Sequence, residues 1–162
     1  LNRHQLTLPA IHEAIRDLEP LPGAREFTDW LVARSRLIIL SDTFVQFLGP
    51  LMAKLGHPTL FCHELELAGD GTILDYRLRQ PDQKRKAVQA LQSPNFRVIA
   101  AGDSWNDRTM LQAADHGILF RPPENLREAE PDMPVTETHE ELREAIEAAF
   151  EDGSINPAQR PC

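Results

Sequence analysis

Two short apolar runs, residues 36–40 and 97–101, constrain the fold more than any other feature of this sequence. Each run has the length of a strand and leads into a polar turn and then a helical pattern. Continuous apolar runs of this kind are typical of parallel strands that are buried on both faces. Further short strands are predicted at residues 59–62 and 117–120. This alternation predicts an α/β fold built on a doubly wound parallel sheet.

Helical periodicity and turn residues predict the remaining elements. Helices are predicted over residues 9–18, 23–34, 83–91, 105–113 and 138–150, with one more that ends at Gly56. Residues 64–67 and 73–78 flank Gly69-Asp70-Gly71, which predicts a β-hairpin. Asp82 is expected to cap the helix that starts at residue 83.

Composition narrows the functional classes. A chain of 162 residues with 41% hydrophobic residues suffices for one core, and no apolar run approaches membrane-spanning length. No signal peptide is visible, so a cytoplasmic location is expected. A net charge of −8 argues against nonspecific nucleic-acid binding. Cys62 and Cys162 form no disulfide or zinc pattern, and Cys62 is expected to be a small buried hydrophobe.

The turn after residues 97–101 carries two carboxylates, Asp103 and Asp107, four positions apart. Ligands of α/β sheets gather beyond the carboxyl ends of the strands, and a carboxylate there suits Mg²⁺. Asp107 could reach the same ion or orient its waters. The alternative is that Asp103 caps an ordinary helix, with Ser104 and Asn106 adding only turn polarity.

Two other positions carry groups suited to phosphate. Ser41 follows the run 36–40, so its hydroxyl and the amides of Asp42 and Thr43 are predicted to bind phosphate at a strand-to-helix turn. The alternative for Ser41 is a simple helix cap. Lys84 begins a helix and is followed by Arg85 and Lys86. Solvated surface positions are expected for Arg85 and Lys86, but not for Lys84.

The histidines offer no ligand spacing. His57, His63 and His116 are each isolated from the others in the sequence, and structural or surface positions are expected for them.

These segments resemble three motifs of the haloacid dehalogenase-like hydrolases. The run 97–107 resembles the fourth motif, and Asn106 and Met110 match the phosphoserine phosphatase branch. Leu40-Ser41-Asp42-Thr43-Phe44 resembles the second motif, and Lys84 matches the third. Pro20-Leu21-Pro22-Gly23 and Leu78-Arg79-Gln80 are further markers of the branch that also has homoserine phosphotransferase activity. The resemblance runs from Leu1 to about Phe150.

The resemblance implies a Mg²⁺-dependent phosphomonoesterase that acts on O-phospho-L-serine in serine biosynthesis, with phosphoryl transfer to homoserine left open. It implies that Asp103 and Asp107 hold the metal. The implied catalytic residues are Ser41, Lys84, Asp103 and Asp107, and the implied substrate-binding residues are Ser41, Asp42, Thr43, Lys84 and Asn106. The partner is then a small phosphorylated metabolite, while the exact substrate and the oligomeric state stay open.

The first motif of that family is missing. It supplies a nucleophilic aspartate in Asp-x-Asp or Asp-x-Glu on the first strand, and Asp42 does not qualify because Phe44 stands two positions later. Leu1 is not methionine, and residues 1–20 resemble the end of the family's cap. We therefore expect a fragment that is inactive alone, with an α/β core over residues 21–150 and a disordered tail over 151–162. The family strand order 5-4-1-2-3 would leave its two inner strands without their central neighbour.

Two other functions compete with this interpretation. One is a noncatalytic module, derived from such an enzyme, that binds phosphate or a partner. A receiver domain is the weaker alternative, because receivers need an acidic pair after a first strand and residues 1–35 contain no such strand.

Overall fold

The computed structural model describes residues 7–152, and the chain divides into two compact units, Leu1–Pro81 and Asp82–Cys162. The first residues of the predicted cap segment and the polar end of the predicted tail lie outside the described residues.

The first unit contains three helices and a three-stranded sheet. Its elements are α1 (Leu8–Ile15), α2 (Ala24–Val32), β1 (Ile38–Phe44), α3 (Val45–Lys54), β2 (Thr59–Leu67) and β3 (Ile73–Arg77). The strand order is β1-β2-β3, with β1 parallel to β2 and β3 antiparallel to it. The hairpin predicted around Gly69-Asp70-Gly71 is confirmed.

Strand β2 is longer than predicted, because it serves two partners in succession. Its first residues pair in parallel with β1, and its residues from Glu64 onward pair with β3. The separate strands expected at 59–62 and 64–67 are therefore one continuous element. The strand runs on past Cys62, since Phe44 of β1 is still in register with His63.

The second unit has a parallel sheet flanked by helices. Its elements are α4 (Gln83–Gln92), β4 (Ile99–Gly102), a 3₁₀ turn (Trp105–Asp107), α5 (Arg108–Ala113), β5 (His116–Phe120), α6 (Glu124–Ala129), β6 (Val135–Thr136) and α7 (His139–Asp152). The strand order is β4-β5-β6, and both pairs are parallel. Helix α6 and strand β6 were not predicted, because they are too short to show a clear sequence period.

Most of the buried apolar side chains belong to the second unit. Its largest fully buried side chains are Val88, Leu111, Ile118, Leu119 and Leu126. Among the described residues of the first unit, the buried hydrophobic side chains are Met52, Leu65 and Ile73. The second unit therefore has the larger share of the stabilisation that comes from apolar burial.

The run 36–40 was expected to be buried on both faces, and this expectation is wrong. Its apolar side chains in β1 are half-buried. Within residues 7–152, β1 pairs only with β2, so one edge of the strand lacks the shielding that a second neighbour gives.

The predicted α/β class with parallel strand pairing is confirmed. Among the described residues, β4 pairs only with β5, just as β1 pairs only with β2. No helix in this part of the chain is long and apolar enough to cross a membrane.

Gly117 on β5 supplies a test of the packing in the second unit. A Cβ at this position would lie 2.6 Å from the Leu111 carbonyl oxygen, so Gly117→Ala forces α5 and β5 apart. We expect a loss of about 2 kcal/mol in unfolding free energy, the usual cost of overpacking. Chemical denaturation followed by circular dichroism measures it. Gly69→Ala is the control, since nothing lies within 4 Å of that Cβ, and an equal loss in both variants would contradict the argument.

Candidate active site

The predicted metal-binding segment forms a tight turn at the carboxyl end of β4. The strand ends at Gly102, Asp103 is exposed immediately after it, and the 3₁₀ turn brings Asp107 back toward the strand end. Asp107 is buried, with 6% of its surface exposed.

The Asp107 carboxylate organises this turn. Its Oδ2 accepts hydrogen bonds from the Asp103 N–H at 3.2 Å, the Ser104 N–H at 3.1 Å and the Ser104 hydroxyl at 2.8 Å. Its Oδ1 accepts a hydrogen bond from Lys84 Nζ at 2.8 Å. Both carboxylate oxygens are thus engaged, and bonds to an ionised acceptor are the stronger kind.

Opposing effects act on the Asp107 carboxyl. Burial acts to raise its pKa, but hydrogen bonds from Lys84 and Ser104 and the positive charge of Lys84 together outweigh burial and hold the pKa below its ordinary value. Asp107 is therefore ionised at neutral pH and pairs with Lys84 as a buried ion pair.

Position 102 requires glycine because the Asp107 side chain packs directly against it. A Cβ at Gly102 would lie 2.5 Å from the Asp107 Cβ and 2.7 Å from its carboxyl carbon. Any side chain there would push Asp107 away from the backbone N–H groups that donate hydrogen bonds to it.

The structure separates Lys84 from its basic neighbours. Lys84 is buried and reaches Asp107, whereas Lys86 is exposed and Arg85 pairs with Asp82. Asp82 occupies the N-cap position of α4 but makes no capping hydrogen bond, contrary to the prediction. Its backbone is left-handed (φ 52°), and its carboxylate binds Arg85 and the Thr109 hydroxyl at 3.0 Å instead.

Asp103 is not a helix cap. Ser104 takes that role, because its hydroxyl and the Asp107 side chain form a reciprocal capping box. Asp103 and Asn106 are both exposed on this turn. The carboxylate of Asp103 accepts no hydrogen bond from any residue in the described part of the chain.

The donor set suits Mg²⁺ only in part. Mg²⁺ takes one or two carboxylates and completes its shell with water or phosphate oxygens. Asp103 offers such a carboxylate, and Asp107 fixes the backbone on which Asp103 stands. Residues 7–152 contain no cluster of three or more His, Cys, Asp or Glu side chains that could hold a metal ion.

Side-chain contacts hold the far side of the same turn. Arg108 donates to Glu130 at 2.5 Å, and Gln112 donates to the same oxygen at 2.7 Å. The Arg108 guanidinium also lies over the Trp105 ring, 5.5 Å from its centroid, which is within the range of a cation–π contact. These contacts tie both ends of α5 to Glu130, which follows α6.

The predicted phosphate-binding residues of the first unit lie in a bulge, not at a helix N-terminus. Leu40 pairs with Phe61 and Phe44 pairs with His63, so three residues of β1 oppose one residue of β2. These three are Ser41, Asp42 and Thr43, and α3 begins only at Val45. The expectation of a strand-to-helix turn is wrong, because pairing through Phe44 continues the strand past the motif.

The bulge turns the Ser41–Thr43 backbone away from regular pairing. The Thr43 N–H points to the Ser41 hydroxyl at 3.4 Å, and Asp42 is exposed while its two neighbours are half-buried. Bulges re-aim side chains in this way next to active sites.

His63 was predicted to be a structural or surface residue, and the structure places it beside this segment. His63 is buried, and its Nδ1 accepts the Arg79 backbone N–H at 3.1 Å. A backbone N–H can only donate, so in the neutral ring the proton sits on Nε2, which lies 4.0 Å from Asp42 Oδ1. His63 thus lies beside the bulge and binds the segment after β3. Only the pairing register, which the sequence does not show, brings His63 beside Asp42.

Cys62 was expected to be a small buried hydrophobe, and in the structure it is only partly buried. Burial raises the pKa of its thiol, and the nearby Arg79 charge opposes that shift. Cys162 lies outside the described residues.

One Asp-x-Glu spacing occurs in the chain, at Asp17-Leu18-Glu19. It follows α1 in an exposed turn instead of a strand, and Glu19 pairs with Lys54. This geometry is not that of a first-strand nucleophile.

The comparisons with known proteins agree with the geometry of these segments. The family model described as haloacid dehalogenase-like hydrolase matches residues 4–115. The chain belongs to the haloacid dehalogenase-like hydrolases. The predicted membership of this enzyme family is confirmed.

Two relatives carry phosphoserine phosphatase names. The protein called phosphoserine phosphatase ThrH from Pseudomonas aeruginosa is 51% identical over 92% of this chain and 73% of its own length. A phosphoserine phosphatase from Pseudomonas syringae pv. tomato is 49% identical over 88% of this chain and 60% of its own length.

The fold of this hydrolase is also that of solved phosphoserine phosphatases. A substrate-bound complex matches with a TM-score of 0.73 at 24% identity, over 89% of this chain and 70% of that one. A phospho-aspartyl intermediate analogue matches with a TM-score of 0.72 at 24% identity, over 89% and 71%.

The Lys84–Asp107 pair gives a stability test. Asp107→Asn removes the carboxylate that pairs with the buried Lys84 ammonium at 2.8 Å, and we expect a loss of about 3 kcal/mol in unfolding free energy. Lys84→Met should cost less, because Ser104 and the Asp103 amide still bind the carboxylate. Lys86→Met, an exposed control on the same helix, should change stability by less than about 0.5 kcal/mol. Equal effects of the two lysine substitutions in urea unfolding would contradict this ranking.

The same pair predicts a pH dependence with a definite sign. The folded-state pKa of Asp107 lies below its ordinary value of 3.8, so the stabilisation is complete above that value and is lost as the pH falls through the folded-state pKa. The stability difference between the wild type and Asp107→Asn should therefore be largest near neutral pH and shrink below about pH 4. A difference that is constant from pH 7 to pH 3 would contradict it.

Proposed function

We propose that this chain carries the phosphate- and metal-binding part of a Mg²⁺-dependent phosphomonoesterase that acts on O-phospho-L-serine. The observation that carries the proposal is the buried Lys84–Asp107 pair, which fixes a turn that presents the exposed carboxylate of Asp103. The names of the two Pseudomonas relatives support the choice of substrate. A role in serine biosynthesis and a cytoplasmic location belong to the same proposal.

In this proposal Asp103 holds the metal directly and Asp107 acts on it through the turn. Both oxygens of Asp107 already accept hydrogen bonds, so its part is to hold the backbone of Asp103 and Ser104 in place. When bound, Mg²⁺ would neutralise negative charge on the phosphoryl oxygens. Lys84 adds a fixed positive charge beside the turn, which favours the spread of negative charge in a loose phosphoryl-transfer transition state.

Ser41, Asp42 and Thr43 are proposed to bind the phosphoryl group. The bulge of β1 turns the Ser41 hydroxyl and the neighbouring amides out of regular strand pairing, and such donors suit phosphate oxygens. Asn106, exposed on the 3₁₀ turn, is the proposed contact to the rest of the substrate. Transfer to homoserine would use the same residues with another acceptor.

The third element of the proposal is that the 162 residues do not hydrolyse substrate alone. The described part of the chain presents no Asp-x-Asp or Asp-x-Glu at the end of a strand, and the resemblance assigns the nucleophile to such a motif. A strand and cap from outside this sequence would have to supply it.

The first test compares the chain with an extended version. The extension takes from the P. aeruginosa relative the sequence that the alignment leaves uncovered. We expect release of phosphate from O-phosphoserine with Mg²⁺ only by the extended version, and an extended control with the nucleophilic aspartate changed to asparagine should be inactive. Equal turnover by the short chain would contradict the choice of nucleophile. An extended chain that binds O-phosphoserine without turnover would favour the noncatalytic alternative.

The second test separates the metal-binding role from the phosphate-binding role in the active extended chain. Asp103→Asn should lower kcat/KM by about 100-fold and raise the Mg²⁺ concentration needed for half-maximal rate. Ser41→Ala removes one phosphate donor and should weaken inorganic phosphate binding by about 10-fold while leaving the Mg²⁺ requirement unchanged. Glu128→Gln, an exposed carboxylate on α6, is the matched control. Loss of Mg²⁺ binding in Ser41→Ala with intact phosphate binding would overturn the assignment.

A further inference from the structure

Strand β3 presents an edge that no other described strand covers. It pairs with β2 on one side, and on the other side the described residues place only the isolated bridge between Thr7 and Thr72, just before the strand begins. Exposed strand edges of this kind are templates for pairing with another chain.

The hydrogen bonds of the neighbouring strand show which groups of β3 lie on that edge. The Leu65 N–H and C=O both bind the side-chain amide of Gln46, each at 3.0 Å, so they point away from β3. Leu65 is in register with Tyr76, which makes this a pair without hydrogen bonds between the strands. The Tyr76 N–H and C=O therefore point to the open edge, where the Asp75 carboxylate accepts the N–H at 2.8 Å.

The side chains along β3 form two rows. Leu74, Tyr76 and Leu78 alternate along the chain, and each remains about half exposed, at 57%, 48% and 56%. Asp75 and Arg77 lie between them and are also exposed. A row of exposed apolar side chains on an open edge is unusual for a surface that faces only water.

The charges select one way of pairing this edge with a copy of itself. In a two-fold antiparallel pair, residues directly opposite must share a face, so the axis passes through a residue, and the central residues of the exposed segment 74–78 are Asp75, Tyr76 and Arg77. An axis at Asp75 or Arg77 sets like charges against each other, which is unfavourable. An axis at Tyr76 sets each Asp75 opposite Arg77 of the other copy and each Leu74 opposite Leu78.

We propose that two copies of this chain associate through β3, antiparallel and centred on Tyr76. The two Tyr76 residues exchange backbone N–H···O=C bonds. The Asp75 carboxylate then no longer accepts the Tyr76 N–H and pairs with Arg77 of the other copy. Within one chain Asp75 lies opposite Glu66, and the Glu66 carboxylate is 3.7 Å from Arg77 of the same chain, so Arg77 already lies on the acidic side of the strand pair. This inference does not depend on the proposed function.

The experiment is a charge exchange on the 162-residue chain, measured by sedimentation velocity over a range of concentrations. The wild type should show a monomer–dimer equilibrium. Asp75→Arg and Arg77→Asp should each weaken association at least tenfold, because every opposed pair then carries like charges. A 1:1 mixture of these two variants, and the double variant Asp75→Arg/Arg77→Asp, should regain association. Glu26→Arg, an equal charge change on α2, should have no effect.

Restoration in the mixture supports the proposal even if one variant is less stable, because loss of folding cannot be repaired by mixing. Hydrogen exchange adds a second readout, since the Tyr76 amide should become protected only as the dimer forms. A wild type that stays monomeric overturns the proposal, and a protected Tyr76 amide in that monomer would show that another segment of the same chain covers the edge. Dimers that persist in both single variants would place the contact elsewhere and also overturn it.

Discussion

The site in the second unit depends on the Asp107 carboxylate, which accepts four hydrogen bonds. Two of the donors are backbone N–H groups of Asp103 and Ser104, so the carboxylate sets the path of the chain as it leaves β4. The fourth donor, Lys84, comes from α4, and this bond ties a helix to the turn. Removing two charges from water is costly, and here the cost is offset by hydrogen bonds to every part of the anion. The same pair therefore joins folding to the chemistry proposed for Asp103.

In the first unit, weaker interactions hold the Ser41–Thr43 segment in position. Among its described residues few apolar side chains are buried, and the buried His63 lies beside the Ser41–Thr43 bulge, 4.0 Å from Asp42, and accepts the Arg79 backbone N–H. The Gln46 side chain substitutes for a strand neighbour by binding both backbone groups of Leu65. Local polar contacts of this kind define the backbone where the hydrophobic core is small.

Much of the fold could be predicted from the sequence, because apolar runs and helical periods report local structure. The hairpin, the strand before Gly102 and the helix that carries Lys84 follow from such patterns. The bulge at Ser41–Thr43 did not, since it depends on Phe44 being in register with a residue nearly twenty positions later. His63 was missed for the same reason. The different roles of Asp103 and Asp107 could not be predicted either. The spacing shows that two carboxylates are close, but not which one accepts hydrogen bonds from the backbone amides.

The short distance between Gly102 and Asp107 has a consequence for how this sequence can vary. No residue with a Cβ fits at position 102 while Asp107 keeps its place, and no longer or uncharged side chain at position 107 can accept the same four donors. Asp103 carries no comparable packing constraint, since its side chain is exposed. A library selected only for folding would keep Gly102 and Asp107 together and let position 103 drift. Retention of an aspartate at 103 would then measure selection for chemistry alone.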